Sequence, residues 1–278
     1  MIKKKILVPI DFSECSKNAL RNAINIARRT EKELVLINAF VVPVTHVEFG
    51  GATMIQEMAH DMEVNIKNSF KLLADEIPEL DKVEYEYSIA HGSPIDVIYS
   101  SLLQYSIDMI VMGTHGVTGI SEVLLGSNTY SVIKSVDIPV LVVPENTGVY
   151  NFNKIALTSD YKNIDNLNIF NPLINFANAL HAEIDVIHFS SNEELSEEEI
   201  TMGKSIENYF KKIRHSYHAA GVTEDFELAI HDYIIQNNID LLVMVPRKHN
   251  IFDRLFGETS WTRRMVFHTK TPLLVLPA

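Results

Sequence analysis

The residues best suited to binding a ligand form a glycine-rich run over residues 113–130, GTHGVTGISEVLLGSNTY. Gly113, Gly116 and Gly126 would let the backbone approach a ligand closely, because glycine has no side chain and adopts positive φ angles readily. Gly126 is followed by Ser127, where a helix is expected to begin, and a helix N-terminus offers free amides and a favourable dipole to an anion. This arrangement suits a phosphate group, although a tight turn capped by Ser127 would need no ligand.

Other nucleotide and catalytic motifs fit this run poorly. A P-loop needs Gly-Lys-Ser/Thr, whereas Gly126 and Ser127 are followed by Asn128 with no lysine. The dinucleotide motif GxGxxG does not match the spacing of Gly113 and Gly116, and no GxSxG nucleophile elbow is present. No residue stands out as a base that would activate water, so whether the protein is an enzyme, such as a slow ATPase or phosphotransferase, stays open.

A second candidate is Asp11, which follows the apolar run ILVPI near the N-terminus. Its carboxylate can accept a hydrogen bond from a ribose hydroxyl or an adenine amino group. The alternative is that Asp11 only helps to begin the next helix, for which Ser13 is the expected N-cap. Asp11 and Gly113 both follow predicted strands, and the carboxyl ends of parallel strands form the ligand-binding edge of such a sheet.

Strand-like and helix-like segments alternate along the first half of the chain. Apolar runs predict strands at residues 4–10, 34–40, 82–90, 108–112 and 139–143. Helical spacing and capping signals predict helices after Ser13, over 54–76, after Ser93 and over 127–136. This alternation is typical of a parallel sheet covered by helices on both faces. The segment 41–60 is interpreted either as a lid over the site or as a surface linker.

The second half of the chain repeats the first. KKILVPIDFSE is echoed by NKIALTSDYKN, ELVLINAF by EIDVIHFS, IDMIVMGTH by IDLLVMVPR, and DIPVLVVPE by KTPLLVLPA. Four matches in the same order predict two tandem domains, which we assign to residues 1–147 and 148–278.

The second repeat lacks the glycines of the first. Val245 stands where repeat one has Gly113, Lys248 replaces Gly116, and Glu258 follows the one remaining glycine. A turn at this place therefore does not demand glycines, and ligand binding is a reason for their presence in repeat one. We expect repeat two not to bind the same phosphate, since the carboxylate of Glu258 would repel it. Its basic residues around 247–249 are interpreted as a solvated face, with another anion site as the alternative.

The first repeat resembles the universal stress protein family. The resemblance rests on the pattern Gly-x2-Gly-x9-Gly-Ser that ends at Ser127, on ILVPIDFSECSKNAL near the start and on DIPVLVVP at the end. It implies two tandem five-stranded parallel-sheet α/β sandwich domains of the adenine nucleotide α-hydrolase-like, Rossmann-like type. It also implies that repeat one binds ATP, because members with this glycine motif do so, with Mg²⁺ or Mn²⁺ carried by the nucleotide.

Individual roles follow from the same resemblance. Family members use the matching positions to hold adenosine, which here implies Pro9, Asp11, Ala39, Met112 and Gly113. The matching phosphate-binding positions are His115, Gly116, Gly126, Ser127 and Asn128. No catalytic residue and no protein-borne metal site is implied.

Partners and physiological role are also implied by the family. Members act in stress adaptation and pair as dimers through their last strand, which here implies an intramolecular pseudo-dimer of the two repeats. Further homodimerisation stays open, as does a nucleotide-free role in which the pseudo-dimer binds another partner.

Composition and charge limit the partners and the cellular compartment that can be expected. The 278-residue chain is 46% hydrophobic, as expected of a globular protein, and carries a net charge of −12. That charge disfavours binding to nucleic acid or to an anionic membrane. No apolar stretch is long enough to span a bilayer. The single cysteine, Cys15, cannot form an internal disulfide, so a reducing cytoplasm is the expected compartment. Cys15 itself is interpreted as a small helix residue, with a redox-active thiol as the alternative.

Two features of repeat two give local predictions. Pro172 should kink or restart the first helix of that repeat. The run SNEELSEEEI over residues 191–200 is interpreted as the acidic first turn of a helix.

Overall fold

The computed structural model describes most of both repeats. The described residues are 3–43, 51–114, 127–145, 148–159, 164, 166–190, 196–221, 226–245 and 271–277. The predictions for His115, Gly116 and Gly126 lie outside the described residues, as do those for the matching loop of repeat two between residues 246 and 270.

Repeat one alternates strands and helices as its sequence predicts. In chain order it contains β1 (Lys5–Pro9), α1 (Glu14–Thr30), β2 (Glu33–Phe40), α2 (Gly51–Glu76), β3 (Tyr85–His91), α3 (Pro94–Gln104), β4 (Ile107–Thr114), α4 (Ser127–Ser135) and β5 (Val140–Pro144). Ser13 and Ser93 are the N-caps of α1 and α3, as expected. Because α2 already begins at Gly51, the interpretation of residues 41–60 as a loop is wrong for its second half, and residues 44–50 lie outside the described part.

Repeat two follows the same order with shorter elements. It contains β6 (Lys154–Ser159), α5 (Asn171–Leu180), β7 (Glu183–Ser190), α6 (Glu197–Phe210), β8 (His215–Gly221), α7 (Phe226–Asn237), β9 (Leu241–Met244) and β10 (Leu273–Val275). Pro172 lies in the first turn of α5, after a 3-10 turn at Leu167–Phe170, which confirms that the helix restarts there. Ser196 and Glu199 form a capping box at the start of α6, so the acidic first turn is confirmed for residues 197–199, whereas residues 191–195 of the predicted run lie outside the described part.

The described strands form a single ten-stranded sheet. Its order is β3-β2-β1-β4-β5-β10-β9-β6-β7-β8. Neighbouring strands within each repeat are parallel, whereas β5 and β10 pair antiparallel, with Leu274 opposite Leu141. Each repeat therefore contributes five parallel strands, which confirms the predicted fold class, and the two repeats join edge to edge through their last strands. The boundary assigned between residues 147 and 148 stays a prediction.

Helices cover both faces of this sheet. Helices α1, α2, α5 and α6 pack on one face over residues such as Val8 and Leu157. Helices α3, α4 and α7 pack on the other face over residues such as Leu7 and Leu242. Central strands are consequently buried on both sides, and each fully buried Leu or Ile contributes roughly 1.5–3 kcal/mol of hydrophobic stabilisation. None of the described helices is both long and apolar enough to cross a membrane.

Candidate functional site

A cavity of about 270 Å³ opens at the carboxyl ends of β1, β2 and β4. Strand β1 lies between the other two. The chain runs from β1 to β2 toward one edge of the sheet and from β4 to β5 in the opposite direction, and α/β folds bind ligands at such a switch point. Six residues assigned from the sequence line this cavity: Pro9, Asp11, Ala39, Met112, Gly113 and Asn128. The cavity is slightly smaller than typical small-molecule pockets, whose volumes begin at about 300 Å³.

The remaining assigned residues follow β4 in the chain. Ser127 is the first residue of α4, and its neighbours Asn128 and Thr129 line the cavity. His115, Gly116 and Gly126 lie outside the described residues, so their roles stay predictions. The start of α4 nevertheless places a helix N-terminus beside the cavity, where backbone amides favour an anion.

Asp11 lies between the cavity and the start of α1. Its Oδ1 accepts hydrogen bonds from the Ser13 amide at 3.0 Å and from the Ser13 hydroxyl at 2.5 Å. Partial burial raises the pKa of Asp11, but hydrogen bonds from Ser13 and Ser16 outweigh that effect and hold the pKa below its ordinary value. The side chain is therefore a carboxylate at neutral pH. It both fixes the start of the helix and lines the cavity, so neither of the two interpretations of Asp11 is excluded.

The backbone beside Asp11 is held in an unusual conformation. Phe12 has a φ of 66°, in the left-handed region that bulky residues rarely adopt. Its ring packs edge-on against Phe70 of α2, with centroids 5.1 Å apart. The Ile10 carbonyl accepts a hydrogen bond from Asn38 Nδ2 at 2.7 Å, just beyond the last pair of the β1–β2 ladder. These contacts keep Asp11 at the cavity, and the strain is offset by the packing around it.

Sequence reasoning missed Phe12 and Asn38 as supporting residues. Asn38 could have been noticed, because it is the one amide within the apolar strand ELVLINAF. Phe12 carries no such signal, since its role depends on its backbone angle and on a contact with a residue far along the chain.

Gly113 is required by packing against α1. A Cβ atom at this position would lie 2.4 Å from Cys15 Sγ and 2.6 Å from the Cys15 carbonyl oxygen. Packing against Cys15 is therefore a reason for Gly113 that the sequence did not reveal, and its role toward a ligand stays a prediction. In repeat two the corresponding first helix begins only after the 3-10 turn that starts at Leu167, and Val245 packs against the core instead.

Replacing Gly113 by alanine is expected to destabilise the protein by about 1–3 kcal/mol, the usual cost of overpacking a tight contact. The new Cβ must push the end of β4 away from the first turn of α1. Urea denaturation monitored by circular dichroism measures the change. Gly148→Ala is the matched control, because nothing lies within 4 Å of a Cβ there. Equal stability of the two variants would contradict the packing role of Gly113.

Cys15 is a structural residue of this contact. Burial raises the pKa of its thiol to about 12, and the nearby carboxylates of Glu145 and Asp11 add to the effect. A thiol with such a pKa stays protonated at neutral pH and is a poor nucleophile. Its burial and raised pKa favour the interpretation of Cys15 as a small buried helix residue over a redox-active thiol.

Two buried side-chain oxygens near the cavity lack a hydrogen-bond partner among the residues that the structure describes. They are Asn38 Oδ1 and Thr114 Oγ1, and Thr114 is only 3% exposed. Leaving such a group unpaired costs about 1–3 kcal/mol, so native proteins usually supply a partner. Thr114 follows Met112 on the same face of β4, and both line the cavity. An orphaned hydroxyl there fits a site that is completed by a polar ligand.

The described residues give no sign of a resident metal. No group of three or more His, Cys, Asp or Glu side chains in that part of the chain could hold an ion. A divalent cation would have to take its ligands from a bound molecule or from residues beyond the described part.

A polar cluster in repeat two resembles a catalytic triad only in composition. Asp185 is buried, pairs with Lys154 at 3.2 Å, and accepts hydrogen bonds from Ser216 and Tyr233. His218 Nε2 lies 2.9 Å from Ser216 Oγ and 3.9 Å from Asp185 Oδ1. A hydrolase triad needs the carboxylate on the other ring nitrogen, so that the histidine can take the serine proton. This cluster instead satisfies a buried charge.

The fold defines a two-repeat, Rossmann-like α/β protein with a cavity at the strand ends of its first repeat. The sequence profile described as "Universal stress protein family" matches residues 3–144, just over half of the chain. The chain therefore belongs to the universal stress protein family.

Individual relatives agree with this assignment. Universal stress protein MJ0531 of Methanocaldococcus jannaschii is 34% identical over 144 residues, which cover 50% of this chain and 81% of the relative. Universal stress protein MJ0577 of the same organism is 30% identical over 156 residues, covering 50% of this chain and 94% of the relative. A solved universal stress protein from Archaeoglobus fulgidus superposes with a TM-score of 0.71 at 17% identity, over 98% of this chain and 97% of that one. The last comparison shows that the two-repeat fold has a solved counterpart.

Proposed function

We propose that this protein binds ATP in the cavity of repeat one and acts in stress response or signalling through the bound nucleotide. One observation carries the proposal. Residues that the family resemblance assigns to adenosine, although far apart in sequence, meet at a single cavity at the carboxyl ends of β1, β2 and β4.

The chemistry of the cavity suits a nucleoside. Pro9, Ala39 and Met112 supply an apolar wall for a base. The ionised Asp11 can accept hydrogen bonds from ribose hydroxyls, and Thr114 offers a buried hydroxyl without a partner in the described part of the chain. Small-molecule sites commonly combine a mostly apolar lining with a few placed polar groups.

The phosphates belong at the start of α4 in this proposal. Helix N-termini bind anions through free amides, and Asn128 and Thr129 line the cavity there. When bound, ATP would bring Mg²⁺ or Mn²⁺ on its phosphates, and no protein carboxylate is needed to hold that ion.

Repeat two has a different role in the proposal. Val245 stands in place of Gly113, and the first helix of the repeat begins later, so the contact that shapes the cavity of repeat one is not reproduced. We assign repeat two, residues 148–278, to completing the pseudo-dimer with repeat one, residues 1–147. The expectation of a reducing, cytoplasmic compartment still rests on the single cysteine.

Catalysis is the weaker alternative. A general base works best with a pKa near the operating pH, whereas hydrogen bonds hold the pKa of Asp11 below its ordinary value. Asp11 is thus suited to holding a ligand and poorly suited to activating water. A nucleotide-free, partner-binding role would not account for the Thr114 hydroxyl, which has no partner among the residues that the structure describes.

The binding proposal is tested on freshly purified protein. Denaturing the protein and separating the released small molecules by chromatography should reveal an adenine nucleotide, and calorimetric titration of nucleotide-free protein with Mg-ATP should give saturable binding at one site. Absence of both results would overturn the proposal and favour the nucleotide-free role. Phosphate release in a single-turnover experiment would favour the slow ATPase.

A further inference from the structure

Helix α1 carries a row of three asparagines and an arginine along one face. Asn18, Asn22, Asn25 and Arg29 recur at helical spacing, and their side chains donate to backbone carbonyls. Asn18 donates to Pro144 at the end of β5, and the other three donate to residues 148–151, where the repeats join. We call these four residues the α1 ladder. Asn18 and Asn22 are buried, although asparagine is usually exposed. Two buried asparagines on one helix face therefore indicate a specific hydrogen-bonding role.

The ladder holds the segment that joins the two repeats, residues 148–153. Asn22 accepts a hydrogen bond from the Tyr150 amide at 3.0 Å, and Asn25 donates to the Tyr150 carbonyl at 2.7 Å. Arg29 donates to the carbonyls of Asn151 and of Leu180, the last residue of α5. Side chains of repeat one thus satisfy backbone groups of the joining segment and of repeat two.

The other side of the joining segment is fixed to repeat two. Phe152 is fully buried, with a φ of 52°, and packs edge-on against Phe176 of α5 at 5.8 Å. The Asn153 amide donates to Asp240 Oδ2 at 2.8 Å. The segment is therefore held from both repeats, and a shift of α1 has to be absorbed by these contacts.

The opposite end of α1 belongs to the nucleotide cavity. Its first turn, with Cys15 and Ser16, lines the cavity, and Asp11 binds its N-cap Ser13. The contact between Gly113 and Cys15 leaves no room even for a methyl group. A change at the end of β4 is consequently transmitted to a helix about 25 Å long, at 1.5 Å for each residue, whose far side holds repeat two.

We propose that helix α1 couples the cavity of repeat one to the joining segment and repeat two, so that a nucleotide ordering the cavity also tightens the ladder. This inference rests on the proposed nucleotide binding and adds its regulation. The ATP-bound state would differ from the free state in how firmly repeat two is held, and hydrolysis of the ATP would not be needed. Since coupling between binding and conformation is reciprocal, weakening the ladder must also weaken nucleotide binding.

Hydrogen exchange of the full chain, with and without saturating Mg-ATP, tests the coupling. We expect Mg-ATP to slow exchange at least about threefold in residues 148–153 and in α5, in addition to protecting the strand ends around the cavity. The double variant Asn25→Ala, Arg29→Ala should lose this remote protection and bind Mg-ATP about fivefold more weakly, the lower end of typical allosteric coupling. Arg28→Ala is the matched control, because this substitution removes the same charge from an exposed position of the same helix.

The outcomes separate the coupling from the binding. Protection that is confined to the cavity in the natural protein would overturn the coupling while leaving ATP binding intact. A double variant that retains both the remote protection and the affinity would overturn it as well. If Mg-ATP slowed hydrogen exchange nowhere in the protein, both the proposed function and this inference would be overturned. If circular dichroism shows that the double variant does not fold, the single variant Asn25→Ala is compared with the natural protein instead. The same criteria then apply to its remote protection and its affinity for Mg-ATP.

Discussion

Replacing Leu274 by aspartate is expected to destabilise the protein by more than about 4 kcal/mol, the range reserved for the most disruptive single substitutions. Leu274 is the central residue of β10 and is 0% exposed. It lies opposite Leu141 of β5 on one side and Val243 of β9 on the other. A carboxylate there would be buried with no cation paired to it, which is among the costliest changes a core can undergo.

The substitution affects both repeats because β10 pairs with β5 of repeat one and β9 of repeat two. We call β10 the seam of the sheet. It is only three residues long, yet it connects the five strands of repeat one with the rest of repeat two. Opening this seam exposes the edges of β5 and β9, whose side chains are almost wholly apolar. Exposed apolar edge strands associate readily, so we expect aggregation together with the loss of stability.

Two comparison variants make the measurement specific. Leu103→Asp introduces the same carboxylate on α3, at a side chain that is 91% exposed, and should change the free energy of unfolding by less than about 0.5 kcal/mol. Leu274→Ala keeps the seam apolar and should cost about 2–5 kcal/mol. Chemical denaturation and size-exclusion chromatography report both properties. If Leu274→Asp behaved like Leu103→Asp, the seam would not be a main source of stability.

Much of the fold could be predicted because its signals are local. Short apolar runs such as ILVPI mark strands that are buried on both faces, and Ser93 followed by Pro94 marks the start of α3. Boundaries failed where local turns intervene. The strand predicted over residues 82–90 begins at Tyr85, because the 3-10 turn at Pro78–Lys82 occupies the preceding residues.

The cavity could be predicted only in part. Asp11 and Gly113 follow strands, so the sheet topology brings them together, and the family resemblance added Ala39 and Met112. What the sequence could not supply were contacts between distant segments, such as Gly113 against Cys15 or Asn38 on the Ile10 carbonyl. Such contacts depend on how far apart a helix and a strand end lie in space, which composition and spacing do not encode.

Repeat two shows how far two copies of one fold can diverge. At the position of the apolar Val35 it carries the buried Asp185, as the strand register with Lys5 and Lys154 shows. The change is tolerated because Lys154, Ser216 and Tyr233 provide the partners that a buried charge requires. The repeat has thus kept the sheet while acquiring contacts that have no counterpart in repeat one.

Replacing Asp11 by alanine is expected to weaken ATP binding roughly 10- to 100-fold, because a hydrogen bond to a charged group contributes about 1.5–3 kcal/mol. The carboxylate lines the cavity, and its lowered pKa keeps it ionised throughout the neutral range. Isothermal titration calorimetry with Mg-ATP on the natural protein and the variant measures the loss directly.

The rival explanation is that Asp11 acts only through the start of α1, and Ser13→Ala separates the two. Ser13 is the N-cap of α1 and the residue whose amide and hydroxyl bind Asp11. Both variants should lower the stability of the fold by about 0.5–2 kcal/mol, the usual cost of losing a cap. Only Asp11→Ala should lose most of its affinity, whereas Ser13→Ala should stay within about threefold, since RT ln 3 is well below the free energy of a charged hydrogen bond. Equal losses of affinity would contradict a separate role of the Asp11 carboxylate, because Ser13 lines the cavity as well and binds Asp11.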